Sequence, residues 1–155
     1  MPCSATHEAC LSQLEERLRG APALTPKLLS DITAQACMRF ASPHELARAG
    51  IERLIRSGAW TDAALALVEL ELPRWRLRRL VHDGGEWRCA FSHQRTIPTG
   101  LDEIAEASHE IMSLAILIAF IAALRQTPAE IEPWPQAAPP VAAAEGYRVC
   151  CDNFA

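Results

Sequence analysis

A chain of 155 residues and 17.0 kDa fits one domain and can bury a core without metal or disulfide staples. Half of it is apolar and 22% is charged, which excludes the apolar-poor profile of a disordered protein. A formal charge of −4 and a pI near 5.7 exclude a general pull toward nucleic acid or anionic membrane and leave only a local basic patch open.

In chain order, residues 4–19 predict an amphipathic helix with Leu11, Leu14 and Leu18 at 3–4 spacing, stopped by Gly20 and Pro22. Thr25-Pro26 opens a second helix. A Thr hydroxyl accepts from an unsatisfied N–H of the first turn, and proline at the first helical position loses no hydrogen bond. The inward stripe of this helix is Leu29, Ile32, Ala36 and Phe40. Ser42-Pro43-His44-Glu45 has the form of a capping box and starts a third helix, with Leu46, Ile51, Leu54 and Ile55, that ends near Gly58. A fourth runs from Trp60 or Thr61 to Leu72, carries Leu65, Val68 and Leu72, and is closed by Pro73.

Over residues 75–93 the period changes from 3.6 to 2, which predicts a β-hairpin. A two-residue Gly84-Gly85 turn would set Trp87, Cys89 and Phe91 beside His82, Leu80 and Arg78. A three-residue Asp83-Gly84-Gly85 loop instead gathers Trp75, Leu77 and Val81 with Trp87, Cys89 and Phe91. It turns Arg76, Arg78, His82, Glu86, Arg88 and Ser92 the other way. Register follows the face that can be buried, so the three-residue loop is expected. It leaves Arg79 on the apolar face and Leu80 on the polar one.

Thr99-Gly100 begins a final predicted helix, LDEIAEASHE leading into an apolar run that Thr127-Pro128 ends. The run from Ile111 to Leu124 is shorter than the roughly 20 residues of a membrane span. It reads as a long buried helix, with no membrane association. Because a small domain has few elements to cover it, self-association as a homodimer is an expectation. Five prolines between Pro128 and Pro140, then an alanine run, predict a disordered tail whose last stretch, Tyr147 to Phe154, is apolar enough to dock. The predicted organisation is an N-terminal helix and linker at 1–24, a helical core at 25–127 with the hairpin at 75–93, and a Pro/Ala-rich tail at 128–155. The fold class is α+β, mostly helical.

Chemistry-bearing residues are few. The start of the chain has no basic segment followed by an apolar run, so no secretory signal is expected. The six cysteines, Cys3, Cys10, Cys37, Cys89, Cys150 and Cys151, show no C-x-x-C spacing. Reduced thiols and a cytoplasmic location are expected on that basis. Glu106-x-x-His109 is half of a ferritin-like pair without its second half, and reads as a solvated helical face. His7-x-x-Cys10 and the vicinal Cys150-Cys151 lack zinc-finger spacing. No nucleophile elbow, phosphate-binding glycine loop or dinucleotide fingerprint occurs, so no catalytic residue and no cofactor, metal or small-molecule ligand is expected.

The hairpin is basic: Arg74, Arg76, Arg78, Arg79, Arg88 and Arg95 stand against Asp83 and Glu86. Its predicted polar face marks Arg76, Arg78, Arg88 and His82 as an interaction patch. Three helices followed by a basic hairpin is also the order of a winged helix-turn-helix. The helix that would enter the groove, however, has three acids and no base to meet phosphates and base edges.

The stretch from Gly58 through Trp60-Thr61-Asp62 to Pro73, followed by Trp75-Arg76-Leu77-Arg78-Arg79-Leu80 and Gly85-Glu86-Trp87-Arg88-Cys89, resembles a group of small uncharacterised proteins of GC-rich soil and root-associated bacteria. The likeness covers residues 25–125. It implies a bacterial protein and brings no catalytic residues with it. The expected function is a non-catalytic protein-interaction or regulatory module, with an unidentified protein or a second copy as partner. A winged-helix-like nucleic-acid binder is the alternative, and an enzyme with an unrecognised site comes third.

Overall fold

Thr25 does what its position predicts: its hydroxyl accepts from the Leu28 N–H at 3.2 Å, and Pro26 is the first helical residue. The computed structural model describes residues 3–40, 45–93 and 103–127. Within them the chain forms α1 (Cys3–Arg19), α2 (Pro26–Gln35), α3 (Glu45–Arg56), α4 (Trp60–Glu71), β1 (Trp75–Asp83), β2 (Glu86–His93), β3 (Ile104–His109) and α5 (Met112–Gln126). The capping residues Ser42 to His44, the 128–155 tail and the Cys150-Cys151 pair lie outside the described residues.

The α+β class holds, but the strand content exceeds one hairpin. Residues 104–109, expected as the start of the last helix, form a third strand, and the sheet is an antiparallel meander in the order β1-β2-β3. Ala105 and Ala107 point inward while Ile104 and Glu106 point out, a period of 2 written in residues with weak strand preference. The free edge of β2 and the core beneath it decide the outcome over the helical propensity of Ala and Glu. The helix starts only after Ile111, which stays extended at φ −104° and ψ 124°. The Ile111 N–H donates to His109 Nδ1 at 3.0 Å.

The hairpin joins both candidate registers. Asp83 pairs with Glu86, so the turn is the two-residue Gly84-Gly85 loop, with φ of +61° and +88° that only glycine adopts freely. From Arg79 to Asp83 the pairing follows that turn, with Leu80 opposite Cys89 and His82 opposite Trp87. A bulge between Leu77 and Arg79 then absorbs one residue. Beyond it the pairing is the one the three-residue loop predicts, Leu77 with Phe91 and Trp75 with His93. The bulge moves Leu80 inward and Arg79 outward, removing both faults of the expected register. It also sends Val81, expected inside, to the outer face at 40% exposure, and Leu77 remains 43% exposed at the sheet edge. Trp75 and Phe91 are buried as expected, and Trp87 is half-buried beside His82, with ring centroids 5.1 Å apart.

Every residue of α5 from Leu114 to Ile121 is buried. The helix lies against β2 and β3 on one side and meets α1 and α4 on others, so one chain covers it without a second copy. Leu11, Leu14 and Leu18 of α1 belong to the same core, so α1 supplies a wall of it. Arg125 at the end of α5 ties α1 down: it pairs with Glu15, lies 3.0 Å from Glu8 Oε1 and donates to Ser12 Oγ at 3.0 Å. Burial alone would raise the Glu15 pKa, but Arg19 and Arg125 outweigh it and hold the carboxyl below its usual value. Among the described residues no helix is long and apolar enough to cross a membrane.

Glu71 is the one buried carboxylate of the core among the described residues. It ends α4 and accepts the backbone N–H groups of Arg39 at 3.0 Å and Phe40 at 2.5 Å, anchoring the turn that follows α2. Burial raises its pKa, against the lowering by those N–H bonds and by Arg39. The folded state therefore holds this proton more tightly than the unfolded chain. The stability Glu71 contributes is largest below its ordinary value of 4.5. It falls as pH rises from there to the elevated folded value, and is flat above. Urea denaturation of Glu71→Gln across this range should lose that decline. Parallel slopes for the wild type and the variant would show that Glu71 does not titrate with folding.

Candidate interaction surface

Cross-strand rows organise both faces of the sheet. Inward lie Leu77, Phe91 and Ala105, then Leu80, Cys89 and Ala107, then His82, Trp87 and His109. Outward lie Arg76, Ser92 and Ile104, then Arg79, Ala90 and Glu106, then Val81, Arg88 and Ser108, with Asp83 and Glu86 beside the turn. The expected patch is thus divided. Arg76 and Arg88 share the outer face, with Arg78 on the bulge beside them. His82 turns to the helix side against Trp87, because the pairing near the turn is one residue off the expected register. Arg79, which sequence reasoning put inside, joins the outer face.

Ala90 forms the floor of this face. Its small side chain lets Arg79 and Glu106, its neighbours on either strand, meet above it at 3.2 Å, and it is itself only 3% exposed. Both partners of that pair are largely solvated, so the contact orients the guanidinium more than it stabilises the fold. Arg78, Arg79, Ala90, Ile104 and Glu106 line a shallow open hollow of about 290 Å³. Around it Ile104 is 47% exposed and Arg76 and Arg88 reach solvent; neither of these arginines has an ion pair among the described residues. The face therefore offers charged forks, two separate hydroxyls in Ser92 and Ser108, and two apolar contacts in Val81 and Ile104.

The other chemistry-bearing residues are placed apart from it. Glu106 and His109 fall on opposite faces of β3, which separates the expected i, i+3 pair. Cys10 donates from Sγ to Gln35 Oε1 at 3.1 Å between α1 and α2. Burial, with Glu71 close by, pushes the Cys37 thiol far up. Burial, with a smaller contribution from Glu106, pushes Cys89 up to about 12. Both thiols stay protonated at neutral pH and serve as small core hydrophobes. His93 meets Trp75 with tilted rings whose centroids lie 5.4 Å apart, and its Nδ1 is 3.9 Å from Glu103 Oε2. Among the described residues no three His, Cys, Asp or Glu side chains gather as metal ligands.

Fold and surface together define a small α+β protein with a solvent-facing, arginine-bearing sheet. No family model, curated protein or solved structure matches this chain.

Proposed function

We propose that this chain is a non-catalytic protein-interaction module of the bacterial cytoplasm that docks an acidic segment of a partner protein on the outer face of its sheet. The observation that carries this reading is the combination of Arg76 and Arg88 with exposed Ile104 and Val81 around the Ala90 floor. Guanidinium groups bind carboxylates through paired N–H donors, and the apolar residues give such a contact a desolvated centre. Asp83, Glu86 and Glu106 interrupt the same face, which favours discrete carboxylates over the continuous charge of a phosphate backbone. The would-be groove helix α4 carries Asp62, Glu69 and Glu71 and no base of its own, and Glu71 is spent on the turn after α2.

The test is a pull-down of tagged wild type and the Arg76→Glu/Arg88→Glu variant from bacterial lysate, with and without nuclease. Both substitutions are at exposed positions, so the variant should keep its circular dichroism and melting curve. A protein partner that survives nuclease and is lost with the variant is the expected result. Recovery of nucleic acid, released by salt and by nuclease, would replace this reading with the nucleic-acid one. A partner retained by the variant would move the docking surface off the sheet.

A further inference from the structure

The two edges of the sheet differ. On β3 the Ile104 carbonyl accepts from Gln126 Nε2 at 3.3 Å, so the end of α5 closes part of that edge. Among the described residues β1 pairs with β2 alone, and its other edge carries no strand. α5 packs chiefly beneath β2 and β3, so β1 overhangs the helical layer. Cys89 and Phe91 of β2 are buried, whereas Leu77 and His82, on the same face of β1, are exposed.

The ladder shows which main-chain groups face the open edge. In an antiparallel pair every second residue turns both its N–H and its C=O to the same neighbour. Asp83 and Glu86 close the two-residue turn and bond each other, as do Val81 and Arg88, then Arg79 and Ala90. The bond from the His93 N–H to the Glu103 carbonyl fixes the same alternation from the β3 side. The N–H and C=O groups of Leu80 and His82 therefore point away from β2.

We propose that this edge pairs with the β1 edge of a second copy, antiparallel about a two-fold axis through Val81, to form one six-stranded sheet. The residues of the strand select that register. About Val81, Leu80 and His82 exchange their main-chain hydrogen bonds with His82 and Leu80 of the second copy. On the outer face the exposed Val81 meets its equivalent, and Arg79 lies opposite the second copy's Asp83, twice over. The Arg79 guanidinium meets Glu106 through one nitrogen and has further donors for that carboxylate. Centring on Leu80 would set Arg79 opposite Val81, and centring on His82 would set Val81 opposite Asp83, so either shift loses the apolar and the ionic pairs together. The bulge between Leu77 and Arg79 limits the pairing to the run from Arg79 to Asp83, and a two-fold contact uses the edge up, so assembly stops at two copies.

So short an interface is of the small, transient kind, with a Kd expected at about 100 μM. Denaturation at low micromolar concentration therefore reports the monomer, in which α5 is already enclosed. In the dimer the outer faces of both copies become continuous, and the pairing does not depend on what that face binds.

Sedimentation equilibrium of the full chain from about 5 to about 500 μM should show a reversible monomer–dimer equilibrium. Over the same range, hydrogen exchange at the Leu80 and His82 amides should slow. Asp83→Arg sets like charges opposite Arg79 and should weaken the dimer at least about tenfold. Arg79→Glu/Asp83→Arg restores both pairs with their signs exchanged and should return Kd to within about twofold of the wild type. Circular dichroism checks that the variants fold, and exchange in the wild type decides the matter if they do not. A monomer at every concentration would overturn the proposal. A dimer that leaves the two amides exchanging at a constant rate, or that Asp83→Arg leaves intact, would place the contact elsewhere and overturn it equally. A double variant no better than Asp83→Arg would overturn the register about Val81.

Discussion

Trp75→Ala should destabilise the protein by about 3–5 kcal/mol in urea denaturation, the range for loss of a buried aromatic side chain. Trp75 is 2% exposed, packs on His93, and joins the start of the sheet to the end of α5 through its hydrogen bond to Thr127. Two losses are combined in that number, and two further variants separate them. Trp75→Phe keeps most of the ring burial and gives up the hydrogen bond. Thr127→Val keeps the indole and leaves its N–H without an acceptor, which costs about 1–3 kcal/mol. If Trp75→Ala lowers stability by less than about 1 kcal/mol, the register beyond the bulge is wrong, because Trp75 would then lie outside the core.

The second large effect is expected at Phe120, which sits fully buried in the middle of α5. Phe120→Ala should also cost about 3–5 kcal/mol, with a cavity left in the core. Leu46→Ala is the matched control. That leucine is 92% exposed on α3, so its truncation should fall within about 0.5 kcal/mol of the wild type. Protein concentration is the second variable. A helix enclosed by its own chain gives a denaturation midpoint that does not move with concentration, whereas a helix completed by a second copy gives one that does. A concentration-dependent midpoint that Phe120→Ala abolishes would show that a second copy contributes to this core.

What the sequence made legible was whatever one or two neighbouring residues decide. Thr25-Pro26 marks a helix start because the cap lies within its own first turn, and Gly58 and Pro73 mark helix ends for equally local reasons. β3 escaped because its inward residues are Ala105 and Ala107. No glycine or proline separates it from α5, so only the unpaired edge of β2 identifies it as a strand. The bulge did leave a trace: Arg79 on an apolar face and Leu80 on a polar one are what a missing one-residue shift looks like from either end of the strand. The interaction surface was legible in Arg76, Arg78 and Arg88. Its fourth expected member, His82, was displaced by the turn. Arg79, Ala90 and Ile104 needed the third strand before they could be placed. Glu71 gave no signal at all, since a carboxylate that caps a turn more than thirty residues earlier has the local appearance of a solvated helix end.

The enclosure of α5 also sets an order of events during synthesis. The helix that fills the centre is the last described element to leave the ribosome, and the cluster around Arg125 joins residues more than a hundred positions apart. Until residues 112–126 emerge, the leucines of α1 and the inner faces of α4 and the sheet have nothing to close on. The nascent chain passes through a stage rich in exposed apolar surface, the kind of species that chaperones hold and proteases remove. A chain ended before residue 112 would carry the residues of seven of the eight described elements and none of the helix they close on.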